Sequence, residues 1–69
     1  MNVIDGLRRI QRFWPDVTFR MLDAERLDVM HRRLDLVADG PEPKDLAELI
    51  RRMDRAGLGI RGNLVVLMD

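Results

Sequence analysis

Three glycines, Gly57, Gly59 and Gly62 in "GLGIRG", stand at the G-x-G-x-x-G spacing by which a backbone loop holds a pyrophosphate. That chemistry needs a strand before the loop, a helix after it and an acidic residue about 20 positions further on. Here helical periodicity precedes Gly57, strand-like residues follow it, and only seven residues come after Gly62. The glycines are therefore read as a helix stop, a strand glycine and a turn glycine. Nucleotide binding is not expected.

The remaining reactive inventory is short. There is no serine, tyrosine or cysteine, and Thr18 is the one hydroxyl, so covalent catalysis by the usual nucleophiles has almost no candidates. His31 has no companion at helical spacing, since Asp28 and Asp35 point elsewhere. One histidine cannot supply a metal-ligand set, so His31 is read as a partly buried, hydrogen-bonded side chain; at a self-association surface it would make assembly sensitive to pH. The carboxylate pairs Asp35 and Asp39, and Asp45 and Glu48, have the chemistry for acid–base work. Each pair has arginines close in sequence and is read as surface charge. No enzyme activity, cofactor, metal or small-molecule substrate is expected.

Binding chemistry is better represented. Twelve basic residues balance twelve acidic ones, and all the basic residues except Lys44 are arginines. In the segment "PKDLAELIRRMDRA", with Leu46 at zero on a helical wheel, Lys44, Arg51, Arg55, Glu48 and Arg52 fall between about 140° and 240°. This outward face suits phosphates or an acidic partner, and Arg61 would extend it. The same residues also suit a solvated face in which Glu48 pairs with Lys44, Arg51 and Arg52.

The elements that position these residues follow from periodicity. Val3, Leu7, Ile10 and Trp14 recur at helical spacing in "NVIDGLRRIQRFW", with Asn2 as N-cap, Asp5 in the first turn and Pro15 as the stop. Trp14 falls on the core stripe, whereas Phe13 is the more exposed aromatic and a candidate contact residue. In "DVTFRML", Val17, Phe19 and Met21 alternate with Thr18, Arg20 and Leu22, which predicts a strand over residues 17–22. Asp23 caps a second helix, "AERLDVMHRRLDLVA", with Leu27, Met30, Leu34 and Val37 facing the core and Gly40-Pro41 ending it. Pro43 suits the first position of a third helix with the stripe Leu46, Leu49, Ile50 and Met53, and Gly57 fits the left-handed position after it. Residues 58–68 read as a hairpin around Gly62-Asn63, with glycine first as a type II′ turn demands.

The expected architecture is a single small domain over residues 1–69, α+β, with three helices and a small antiparallel sheet of the strand near 17–22 and the hairpin. An all-α variant, with the first strand absorbed into the second helix, is the fallback. A chain of this size buries only about 60% of the surface its unfolded form exposes. With neither disulfide nor metal, oligomerisation or a bound partner is the remaining support. No apolar run approaches the ~20 residues of a membrane span, and the first residues do not have the pattern of a leader. A cytoplasmic protein without membrane contact is expected.

The order helix, strand, helix, helix, hairpin resembles the winged helix-turn-helix superfamily. The local match is "DLAELIRRMDRAGLGIRGNLVVL", which is similar to the recognition helix and two-stranded wing of small transcription regulators. The resemblance implies DNA binding, with Lys44, Glu48, Arg51, Arg52 and Arg55 facing the groove and Arg61 at the wing tip. Zero net charge ranks this function second, because DNA affinity rests largely on phosphate neutralisation.

The function ranked first comes from the second helix. Leu22, Val29 and Leu36 are spaced by seven, and Val29 and Leu36 lie roughly 160° to 200° from Leu27. They make a second apolar stripe opposite the core face. Such a stripe is either sandwiched beneath another element or left as an interaction surface. The expected function is thus a small non-enzymatic protein–protein interaction module, a regulator, adaptor or inhibitor, self-associating through Leu22, Val29 and Leu36 with Phe13 nearby.

Overall fold

The computed structural model describes residues 2–69. They form α1 (Val3–Phe13), β1 (Thr18–Phe19), α2 (Ala24–Ala38), α3 (Leu46–Ala56), β2 (Leu58–Arg61) and β3 (Leu64–Leu67). The α+β fold and the C-terminal hairpin agree with the hydrophobic periods. The helix starts show how local chemistry sets the boundaries. The Asp23 carboxylate accepts the Arg26 N–H at 2.9 Å and opens α2. Asp45 does the same for the Glu48 N–H at 2.8 Å, while the Glu48 carboxylate accepts the Lys44 N–H at 3.1 Å. This reciprocal cap satisfies donors that the first turn leaves free. It starts α3 at Leu46, so Pro43 lies buried ahead of the helix and not at its first position. Asn2 occupies the N-cap of α1 without a side-chain cap bond; its backbone N–H instead donates to the Asp35 carboxylate at 2.7 Å.

The core gathers Ile10 of α1, Met30, Leu34 and Val37 of α2, Leu49 and Met53 of α3, Leu58 and Val65 of the hairpin, and Val17. In α3 the buried face differs from the expected stripe. Leu49, Met53 and Ala56 are buried, whereas Leu46 and Ile50 are each 43% exposed. Ala56 is small enough for the α3–β2 junction to lie close to α2, and the helix is rotated to bury it. Gly6 plays a similar part in α1, where it is buried against the backbone of Leu34 in α2.

The sheet is mixed where an antiparallel one was expected. β2 and β3 pair antiparallel throughout, from Leu58↔Leu67 to Arg61↔Leu64. β1 joins the other edge of β3 in parallel, through Thr18↔Leu64 and Phe19↔Val65 alone, giving the order β1-β3-β2. Parallel neighbours require a long crossover, and here α2, α3 and β2 lie between them in sequence. The first strand is also shorter than residues 17–22. The alternation is satisfied by Val17 and Phe19, but the chain then leaves the sheet toward the Asp23 cap, and Met21 is 98% exposed. The glycines of "GLGIRG" hold ordinary structural positions: Gly57 ends α3 at φ 77°, Gly59 lies in β2, and Gly62 turns the hairpin at φ 64°.

Candidate functional site

The arginine face of α3 divides into structural and free members. Arg52, expected outward, is drawn in: its side chain is only 13% exposed, donates to the Asp39 carbonyl at 3.0 Å and lies 3.9 Å from the Glu48 carboxylate. The cause is the rotation of α3 toward Ala56, which brings the Arg52 side to the α2–α3 connection. Lys44, Arg51 and Arg55 are exposed and form no ion pair among the described residues. Arg61 lines a different hollow from Arg55.

The apolar stripe of α2 is likewise divided, and Arg33 divides it. This half-buried arginine lies between Val29 and Leu36 and donates at 2.8 Å to the carbonyls of both Gly57 and Met68, fastening the two ends of the hairpin to α2. Beyond it, Leu36 is 57% exposed and lines a hollow of about 280 Å³ with Asp39, Arg52, Arg55 and Ala56. Leu22 and Val29 remain on the other side. Phe13 joins neither group: it is half-buried and packs against the core. The single interaction surface expected from Leu22, Val29, Leu36 and Phe13 is therefore not continuous.

What the fold does assemble is a groove of about 670 Å³ between α2 and the outer end of β3. Its apolar lining residues are Leu22, Val29 and Met30 from the α2 side and Val66, Leu67 and Met68 from the strand. Arg20, Arg26, Arg33 and Arg61 line it, against Asp69 as the sole acidic lining residue among those described. Arg26 lies 3.4 Å from Asp23, an exposed pair that water screens. Arg20 and Arg61 are exposed and form no ion pair among the described residues. Periodicity marked Leu22 and Val29, and Arg61 was marked by its place in the hairpin turn; Arg20, Arg26 and Arg33 were not marked. The one local signal for Arg20 is its position opposite Phe19 in the strand alternation.

Among the described residues the groove lining has no nucleophile and no carboxylate pair. It offers positive charge beside apolar surface, which is chemistry for binding. Asp35, Asp45 and Glu48 are engaged in backbone hydrogen bonds, as described, and His31 is half-buried on α2 without an ion pair among the described residues. Comparisons with protein-family models, curated proteins and solved structures gave no match. No helix among the described residues is long and apolar enough to cross a membrane.

Proposed function

We propose that this chain is a small non-enzymatic interaction module, a regulator, adaptor or inhibitor, that binds a protein partner in the groove between α2 and β3. The observation that supports this reading is the meeting of Leu22 and Val29 with Arg20, Arg26, Arg33 and Arg61 around one hollow. Aromatic and arginine side chains in part-desolvated pockets dominate the energetics of protein interfaces, and here arginine stems and heads lie beside aliphatic surface. A second reading, a winged-helix DNA-binding regulator, draws on Arg51 and Arg55 of α3 and on Lys44 just ahead of it, all exposed and without an ion pair among the described residues. It ranks lower because the net charge is zero.

Light scattering across concentration, at low and high salt, with and without a generic DNA duplex, tests the choice. The protein-binding reading expects a mass unchanged by DNA at either salt. A DNA complex that forms at low salt and is abolished by Arg51→Glu or Arg55→Glu would put the second reading in its place. A dimer that persists at high salt would instead direct attention to Leu36 and the other exposed apolar side chains as a self-association surface.

A further inference from the structure

β3 is a central strand for only half its length. β2 pairs with all of Leu64–Leu67, but β1 pairs with Leu64 and Val65 alone. The Met68 N–H donates to the Gly57 carbonyl at 2.8 Å, so Gly57 and Met68 are a hydrogen-bonded pair. In an antiparallel ladder such pairs alternate with non-bonded ones. Val65 and Leu67 therefore turn their N–H and C=O groups away from β2. Val65 meets β1 on that side. Leu67 meets no strand: the ladder with β1 ends at Phe19↔Val65, and no backbone hydrogen bond joins residues 20–22 to Leu67 among the described residues.

The groove occupies this vacated side. An open strand edge is a template for an extended backbone. An added strand projects its side chains alternately to opposite faces, so every second residue can rest on Leu22 and Val29 while those between carry charge to the arginines. The lining chooses the sign of that charge: four arginines stand against Asp69. The same lining argues against a second copy of this chain as occupant. Pairing two β3 edges about a twofold axis would set each arginine cluster against its own image.

We propose that the groove receives an extended acidic segment of a partner protein, which adds as a strand to β3 at Leu67, seats apolar side chains on Leu22 and Val29, and pairs its carboxylates with Arg20, Arg26 and Arg61. This rests on the groove being a protein-binding site and specifies its ligand. The carboxylate–guanidinium contacts supply charge-assisted hydrogen bonds, and the backbone pairing supplies direction.

The test is an amide NMR titration of the whole chain with an end-blocked peptide alternating glutamate and valine. Three comparison probes are used: the same peptide with lysine for glutamate, a helix-forming peptide of glutamate, alanine and leucine, and a DNA duplex. The expected result is shifts at Leu22, Val29, Val66 and Leu67 with the glutamate–valine peptide alone, and slower hydrogen exchange at the Leu67 N–H. Arg20→Glu combined with Arg61→Glu should weaken binding roughly tenfold or more while leaving the dispersed spectrum intact, since both side chains are exposed. Absence of binding by the glutamate–valine peptide, or shifts away from the groove, overturns the proposal. Groove binding by the lysine or helical peptide in its stead overturns the acidic-strand assignment and leaves the protein-binding reading standing. Shifts centred on Arg51 and Arg55 with the duplex alone overturn both.

Discussion

Gly6 of α1 lies so close to Leu34 of α2 that a β-carbon at position 6 would overlap the Leu34 carbonyl oxygen and stand 2.8 Å from the carbonyl carbon. Backbone lies on the far side of this contact, so no rotamer change can make room. Gly6→Ala must push the two helices apart. It is expected to destabilise by about 3 kcal/mol, toward the upper end of overpacking effects, despite the better helix propensity of alanine. Thermal unfolding checks this, with an expected fall in Tm of roughly 12–24 °C for a domain of this size.

Arg33 holds two carbonyls that belong to opposite ends of the hairpin. Arg33→Met keeps much of the aliphatic stem but removes both bonds, and should cost about 2–3 kcal/mol given what hydrogen bonds to charged groups contribute. The effect has a place as well as a size. Hydrogen exchange at Gly59, Val66 and Met68, the amides of the hydrogen-bonded pairs of the hairpin, should accelerate more than at Ile10 or Leu34 in the α1–α2 pair.

Arg9 and Arg12 give a contrast within one helix. Arg9 donates to the carbonyls of Val37, Asp39 and Gly40 at 3.0, 3.2 and 2.8 Å, with its side chain 12% exposed. It thereby serves groups left without helical partners at the end of α2. Arg12 pairs with Glu42 at the surface. Arg9→Ala should cost about 2–3 kcal/mol, whereas Arg12→Ala should cost less than about 1 kcal/mol and lose even that in high salt. Urea unfolding of both variants at two ionic strengths checks the difference.

The α3 arginines should separate in the same way. Arg51 and Arg55 are exposed and form no ion pair among the described residues, so Arg51→Glu and Arg55→Glu should each change stability by no more than about 0.5 kcal/mol. Arg52→Ala, which removes one of the two guanidinium donors to the Asp39 carbonyl, should cost about 1–2 kcal/mol. A loss of stability at Arg51 comparable to that at Arg52 would contradict this division of the face.

The periodic features were legible in the sequence because each reflects one element's own requirements. The face of α1, that of α2 apart from Leu27, which is only half-buried and outside the core, the Asp23 cap, the Gly57 stop and the Gly62-Asn63 turn all depend on neighbouring residues. The rotation of α3 did not show, since Leu46 and Ile50 are as apolar as Leu49, and only the close approach at Ala56 decides which of them faces inward. Gly6 looks like a mere weakness in a helical pattern until α2 lies against it. Arg33 was hidden for a related reason: its partners are backbone carbonyls, which have no residue signature. The groove combines both difficulties, joining residues 20–33 to residues 61–69 through a pairing that no short-range pattern encodes.

The parallel contact of β1 with β3 also bears on the order in which the molecule assembles. Thr18 and Phe19 reach Leu64 and Val65 only after α2, α3 and β2 have been traversed, so the chain closes its longest loop for its shortest ladder. The α1–α2 pair and the β2–β3 hairpin require no such closure and can form locally. Entropy of loop closure makes the β1 pairing a late event in folding and an early one in unfolding. The wall that carries Arg20 and Leu22 follows directly on β1, so one side of the groove is set by the last contact to form, and a strand seated beside Leu67 would hold that side in place.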